Sequence, residues 1–161
     1  MHHSAHMPRP SAIVAASSVF GPVLGELPDF VVQWMKVPES IKNVQVTSEV
    51  MFHWARHGMW RNDIRRDTGT YQWLAEAARK TIVNPYALKN DARPSRFQII
   101  GRVKPPSSQY ATIRFLRLVV KYVPSTSAHS GSPEMWLNTY TPHTPEGIRR
   151  YLRGAWIVPG T

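Results

Sequence analysis

The hydrophobic period of the chain changes at Asn84-Pro85. Before that point Trp73, Leu74, Ala77, Ala78 and Ile82 recur at the three-and-four spacing of one helix face, which predicts a helix from about Thr70 to Val83. Proline cannot continue it and biases the residue before it away from helical backbone, so the element stops there. After Pro85 the apolar residues run in short β-type stretches: Tyr86 to Asn90, Arg96 to Val103, Thr112 to Val123 and Glu134 to Thr141, with Pro142 expected to end the last. Upstream, Val44-Gln45-Val46 reads as a short strand or extended lead-in. Thr47 or Ser48 then caps a helix to about His57, with Glu49 in its first turn and Gly58 as its stop. Pro145 to Arg153 reads as a short basic helix. The order helix, helix, then strands on short loops predicts an α+β fold, with two N-terminal helices packed on one face of a roughly four-stranded antiparallel sheet.

At 161 residues the chain is long enough for one ordinary core without metals or disulfides. The absence of cysteine excludes a disulfide scaffold, a thiolate zinc site and a cysteine nucleophile. Residues 1–43 are punctuated by Pro8, Pro10, Pro22, Pro28 and Pro38 and are read as an arm, or as short elements packed on a main domain at 44–161. The opening Met1 to Met7 reads partly as a vector remnant. Ala12 to Val32 is interrupted by Ser17, Ser18, Pro22, Glu26, Pro28 and Asp29, so no membrane span is expected. With no export signal in view, the expected place of action is the cytoplasm, the protein's own or that of a target cell into which it is delivered.

The charge is sharply partitioned. Of the formal net charge of +10, residues 51–121 supply all of it, with 14 Lys and Arg against Asp63, Asp67, Glu76 and Asp91. Residues 1–50 sum to −1 and residues 122–161 to +1. A solvated basic face is the plain explanation. The functional one is a polyanionic partner met by a contiguous positive cleft.

The residues that could act on such a partner fall into three groups. His53 and His57 lie four apart on the first predicted helix, with Arg56 between them and Arg61, Arg65 and Arg66 just beyond. Two histidines at this spacing are half a zinc site, but the general-base Glu of the His-Glu-x-x-His pattern is missing, and one packed and one exposed histidine is the bland alternative. Near neutral pH, histidine also suits proton transfer or phosphate binding. Arg117 and Lys121 share one face of the longest strand, and Arg93 and Arg96 precede or open the strand before it. In the last strand, strict alternation puts Leu137, Thr139 and Thr141 on one face and Asn138 and Tyr140 on the other. There is no paired-carboxylate pattern, Walker loop or Gly-x-Gly-x-x-Gly motif, so glycosidase, two-metal and nucleotide-fold chemistry have no support. What remains is chemistry on a polyanion that needs neither metal nor cofactor. Cleavage of RNA fits, because the 2′-hydroxyl is an internal nucleophile.

Val46-Thr47-Ser48-Glu49-Val50-Met51-Phe52-His53, Thr81-Ile82-Val83-Asn84-Pro85-Tyr86, Arg96-Phe97, Phe115-Leu116-Arg117-Leu118-Val119-Val120-Lys121 and Leu137-Asn138-Thr139-Tyr140 together resemble the barnase–EndoU–colicin–RelE (BECR) fold, in its phage-associated and polymorphic-toxin ribonuclease branch. The resemblance covers about residues 44–142; the long loop after Val123 and the Pro-rich first 43 residues have no counterpart in it. It implies a BECR-like domain acting as a metal-independent endoribonuclease, with tRNA among its targets, that leaves a 2′,3′-cyclic phosphate. A cognate immunity or antitoxin protein would be a partner besides RNA. Carried onto this chain, the helix histidine is His53 with His57 as its rival, the strand cation is Arg96 with Arg93 as its rival, the cation after Val-Val is Lys121 and the hydroxyl is Thr139. Arg56, Arg61, Arg65, Arg66, Arg93, Arg117 and Tyr140 are the expected RNA contacts. Two other classes remain open: a non-catalytic nucleic-acid-binding module, and a phage structural or assembly protein on the same fold.

Overall fold

The structure is a computed structural model that describes residues 20–47, 50, 68–125 and 131–160. Its class is α+β, but the sheet is neither four-stranded nor wholly antiparallel. Seven strands are hydrogen-bonded in the order β1-β2-β6-β5-β4-β3-β7: β1 (Val23–Glu26), β2 (Asn43–Gln45), β3 (Ala87–Asn90), β4 (Arg96–Arg102), β5 (Phe115–Val123), β6 (Glu134–His143) and β7 (Trp156–Ile157). Every pairing is antiparallel except β2 with β6, which is parallel.

The correction has a physical source. Long β-branched runs announce β4 and β5, whereas β1, β2 and β7 are two to four residues long and acquire their extended backbone from partners distant in sequence. The Pro-rich segment contributes both β1 and β2 from Phe20 onward, together with the helix between them, α1 (Asp29–Met35). Leu27 N–H donates to Lys42 C=O at 2.8 Å and Val46 N–H to Pro22 C=O at 2.9 Å, closing this β-α-β unit at both ends. Strand β2 itself spans the expected boundary between residues 43 and 44.

The helix read before Asn84-Pro85 is α2 (Thr68–Val83). Of the helix expected from Thr47, the described part is its start: Thr47 Oγ1 accepts the Val50 N–H at 3.4 Å, a side-chain cap onto the third residue after it. The final helix, α3 (Pro145–Leu152), starts where Thr144 Oγ1 accepts the Gly147 N–H at 3.0 Å, with Pro145 in its first turn.

Helices cover both faces of the sheet rather than one. On the first face α1 supplies Val31, Val32 and Met35, and α2 supplies Leu74, Ala75, Ala78 and Ile82. They pack on Leu24, Val44, Ile99, Leu116, Leu118, Val120, Met135 and Leu137, the main core. Helix α2 comes so near β4 that a Cβ on Gly101 would lie 2.2 Å from Thr81 Oγ1, so only glycine fits there. On the second face a smaller cluster joins Ile148 of α3 to Ala87 and Ile100, with Tyr86, Phe115, Tyr151 and Leu152 at its rim. No helix among the described residues is long and apolar enough to cross a membrane.

Two expectations for β6 are corrected. The strand continues through Pro142 to His143. Proline is tolerated because, among the described residues, β2 reaches β6 only at Met135 and Trp136 and no strand pairs with that side of β6 at Pro142. The simple alternation also breaks: Val119 pairs with Thr139 but Val120 pairs with Leu137, so Asn138 is the extra residue of a β-bulge. Leu137 therefore joins Tyr140 on the core face, and Thr139 and Thr141 point the other way.

Candidate nucleic-acid interface

Partners directly opposite in an antiparallel pair point to the same face, so the register assigns each strand cation. Arg96 is opposite Lys121, Ile100 opposite Arg117 and Arg102 opposite Phe115; Lys89 is opposite Gln98. Alternation along β4 and β5 then places Lys89, Arg96, Arg102, Arg117 and Lys121 all on the face away from the main core. From β6 the same face receives His143 opposite Phe115, Thr141 opposite Arg117, Thr139 opposite Val119 and Trp136 opposite Lys121. Helix α3 closes one end of this face, and the other end, around Arg96, Lys121 and Thr139, is half-buried.

The acids near this face are engaged. Glu134 accepts the Trp136 indole N–H through Oε1 at 2.8 Å and the Gln45 amide through Oε2 at 3.0 Å. Asp91, in the β3–β4 turn, accepts the Gln98 amide at 3.0 Å and the Arg93 backbone N–H at 3.2 Å. Five of the ten described cations of the basic block, Lys89, Arg96, Arg102, Arg117 and Lys121, therefore share one sheet face, and β4 and β5 themselves carry no carboxylate. The other five lie elsewhere: Arg79 donates to the Phe20 carbonyl at 2.9 Å, Arg93 is exposed in the turn off the strand that carries Arg96, and Lys80, Lys104 and Arg114 are exposed on α2 and between β4 and β5.

Toward α3 the face carries a second group. Helix α3 is anchored by Ile148, and one turn on, Tyr151 lies on the sheet. The Arg117 guanidinium lies 4.1 Å from the Tyr151 ring centre and that of Arg150 4.6 Å from it, and the His143 ring centre is 5.0 Å away. Arg150 also hydrogen-bonds the Tyr151 hydroxyl. Thr141 Oγ1 and His143 Nε2 are 2.9 Å apart, in hydrogen-bond contact. Burial pulls the Arg117 guanidinium below the usual arginine range, and the neighbouring Tyr151 and Asp91 oppose that shift.

Of the residues singled out in the sequence, Arg96, Lys121, Thr139 and Arg117 share one face. Tyr140 does not: the bulge at Asn138 turns it into the core, where it is buried and stacks on Phe20 with ring centres 6.0 Å apart, so it is a packing residue and not an RNA contact. His53, His57, Arg56, Arg61, Arg65 and Arg66 lie outside the described residues. Sequence reasoning missed the part played by His143. It treated Pro142 as the end of the strand, although Thr141-x-His143 continues the alternation onto the cationic face. Tyr151 and Arg150 were legible as one basic helix but not as a lid over Arg117, a contact made only in three dimensions. Among the described residues no three His, Asp or Glu side chains are grouped as metal ligands. Compared with known proteins, the chain matches no family model, no curated protein and no solved structure.

Proposed function

We propose that the protein is a metal-independent endoribonuclease, toxin-like or phage-encoded, that cuts RNA by attack of the 2′-hydroxyl on the adjacent phosphate. The observation that carries this reading is the cross-strand pair Arg96 and Lys121, with Thr139 diagonally beside Lys121 on the same face. Side chains on such neighbouring positions reach one another. Two cations and a hydroxyl are what a phosphorane requires, because charge builds on its oxygens as the 2′-oxygen bonds to phosphorus and the 5′-oxygen leaves. Lys121 and Arg96 take that charge, and Thr139 donates to a phosphate oxygen. His53 or His57 accepts the 2′-proton, and a proton from water goes to the departing 5′-oxygen. The products are a 2′,3′-cyclic phosphate and a 5′-hydroxyl. A carboxylate-rich immunity protein covering this face is the partner that the activity calls for inside a cell.

The test is incubation of the full chain with total RNA in EDTA, followed by end-group analysis. Cyclic phosphate ends, lost on Lys121→Ala while RNA binding persists, are expected. Intact RNA overturns the enzyme. Binding that weakens in proportion to each cation removed, with no cleavage, would make the same face a binding module, a reading favoured by Trp136 standing opposite Lys121.

A further inference from the structure

Arg117 is unused in the cleavage just described, and its surroundings are unlike those of an ordinary strand arginine. It sits at the middle of β5, flanked across the strands by Ile100 and Thr141 and covered by Tyr151. Its Nε is enclosed and has no hydrogen-bond partner. No carboxylate among the described residues pairs with it. The acid whose field reaches it, Asp91, is held by Gln98 and the Arg93 backbone. A cation taken out of water with an unmade N–H bond is costly unless an anion completes it.

The groups around it are suited to one class of anion. Thr141 and His143 lie in mutual contact on the neighbouring strand, and Arg150 lies against the Tyr151 ring and hydrogen-bonds its hydroxyl. A planar guanidinium, a hydroxyl, an imidazole and a second guanidinium match an oxyanion with several acceptor oxygens, such as phosphate. The position on the sheet adds the second argument. Arg117 shares its face with Lys121, four residues along β5, or about 13 Å at the usual strand rise. A chain of phosphodiesters laid along β5 meets both.

We propose that Arg117, Thr141 and His143, with Arg150 at the rim, form a second phosphate-binding station on the open face, which holds a different phosphate of the RNA from the one at Arg96 and Lys121. This rests on the open face being an RNA surface, and does not rest on cleavage. A free phosphate and an RNA phosphate present the same chemistry to the station, so the test has an arm for each.

The full chain is labelled at histidine, and the ring signals of His143, assigned with His143→Gln, are followed by NMR during titration with inorganic phosphate. A second titration uses a 2′-O-methyl RNA oligonucleotide, which cannot be cut. Both ligands are expected to move the His143 signals saturably in the wild type and not in Arg117→Leu. In anisotropy measurements, the log–log salt slope of oligonucleotide binding falls by about one in Arg117→Leu, the loss of one phosphate contact. Arg117→Lys, which keeps the charge and the stem but loses the fork, weakens the phosphate response, and it decides the matter if the leucine variant does not fold. His143 signals indifferent to phosphate, with an unchanged salt slope, overturn the station and leave Arg117 a packing partner of Tyr151. A response to inorganic phosphate with no change in slope overturns the RNA assignment in favour of a small phosphorylated ligand. If the wild type cuts no RNA yet both ligands shift His143, the cleavage proposal fails and the station stands.

Discussion

The two faces of the β4-β5-β6 meander are built from alternate residues of the same three strands, and they have opposite chemistry. One carries Ile99, Leu116, Leu118, Val120 and Leu137, all buried under α1 and α2. The other carries Arg96, Arg102, Arg117, Lys121, Thr139 and Thr141, half-buried or exposed, around the buried Ile100 and Val119. Core-forming and cationic positions are thus interleaved residue by residue rather than assigned to separate regions. The division on β6 depends on one inserted position: without the bulge at Asn138, Leu137 and Thr139 would share a face.

The most severe way to break the contrast is to remove that position. Deletion of Asn138 forces Met135 and Leu137 off the core face or pulls Thr139 and Thr141 onto it. Losing the burial of each large apolar side chain costs about 1.5–3 kcal/mol, so the variant should unfold at much lower urea or lose cooperative unfolding; an unchanged midpoint would show that the bulge does not set the faces. Leu118→Ala acts on the core face alone. It should lower stability by about 2–5 kcal/mol in urea melts and leave the salt slope of RNA binding as it was. Thr139→Val acts on the open face alone: RNA cleavage should slow by the equivalent of about 1.5–3 kcal/mol, one hydrogen bond to a charged oxygen, with the urea midpoint barely moved. A drop in stability without loss of activity would reverse its assignment.

The smallest effect belongs to alkaline pH. Burial, and secondarily the neighbouring Tyr71, push the Tyr140 phenol well above the usual tyrosine range. Its native proton is therefore held where the unfolded chain releases it. The resulting stability is fully present below about pH 10 and erodes as pH rises beyond that value. Urea midpoints from pH 8 to 11 check this, because Tyr140→Phe should show a flatter alkaline limb than the wild type.

The sequence displayed those elements whose cause is local. Helix α2 was legible from Trp73, Ala77, Ile82 and the Asn84-Pro85 stop, and β4 and β5 from their apolar runs. From the strand period alone, Arg117 and Lys121 could be placed on one side. Strands β1 and β2 could not be placed in the sheet, because three or four residues beside prolines become strand only when β6 supplies the partner. Tyr140 was misplaced because a bulge is a property of a strand pair, not of a sequence. His143 escaped because Pro142 is a stop signal except at a position whose N–H has nowhere to go. The basic helix α3 was visible, but its role as a cover for Arg117 depends on Ile148 seating it against Ile100.

The parallel pairing of β2 with β6 bears on when the molecule can exist at all. Gln45 and Glu134, joined across that seam, are 89 positions apart. At ordinary translation speeds, roughly 5–20 residues per second, the ribosome needs on the order of 5–20 s to deliver the second after the first. Throughout that interval β2 has β1 as its only sheet neighbour, and β3, β4 and β5 form a growing sheet whose open edge awaits β6. Strand β6 then joins both halves and delivers Thr139, Thr141 and His143 to the cationic face in the same step, before β7 pairs with β3 at the far edge. An N-terminal fragment that stops short of residue 134 therefore holds most of the cations but none of the β6 groups beside them.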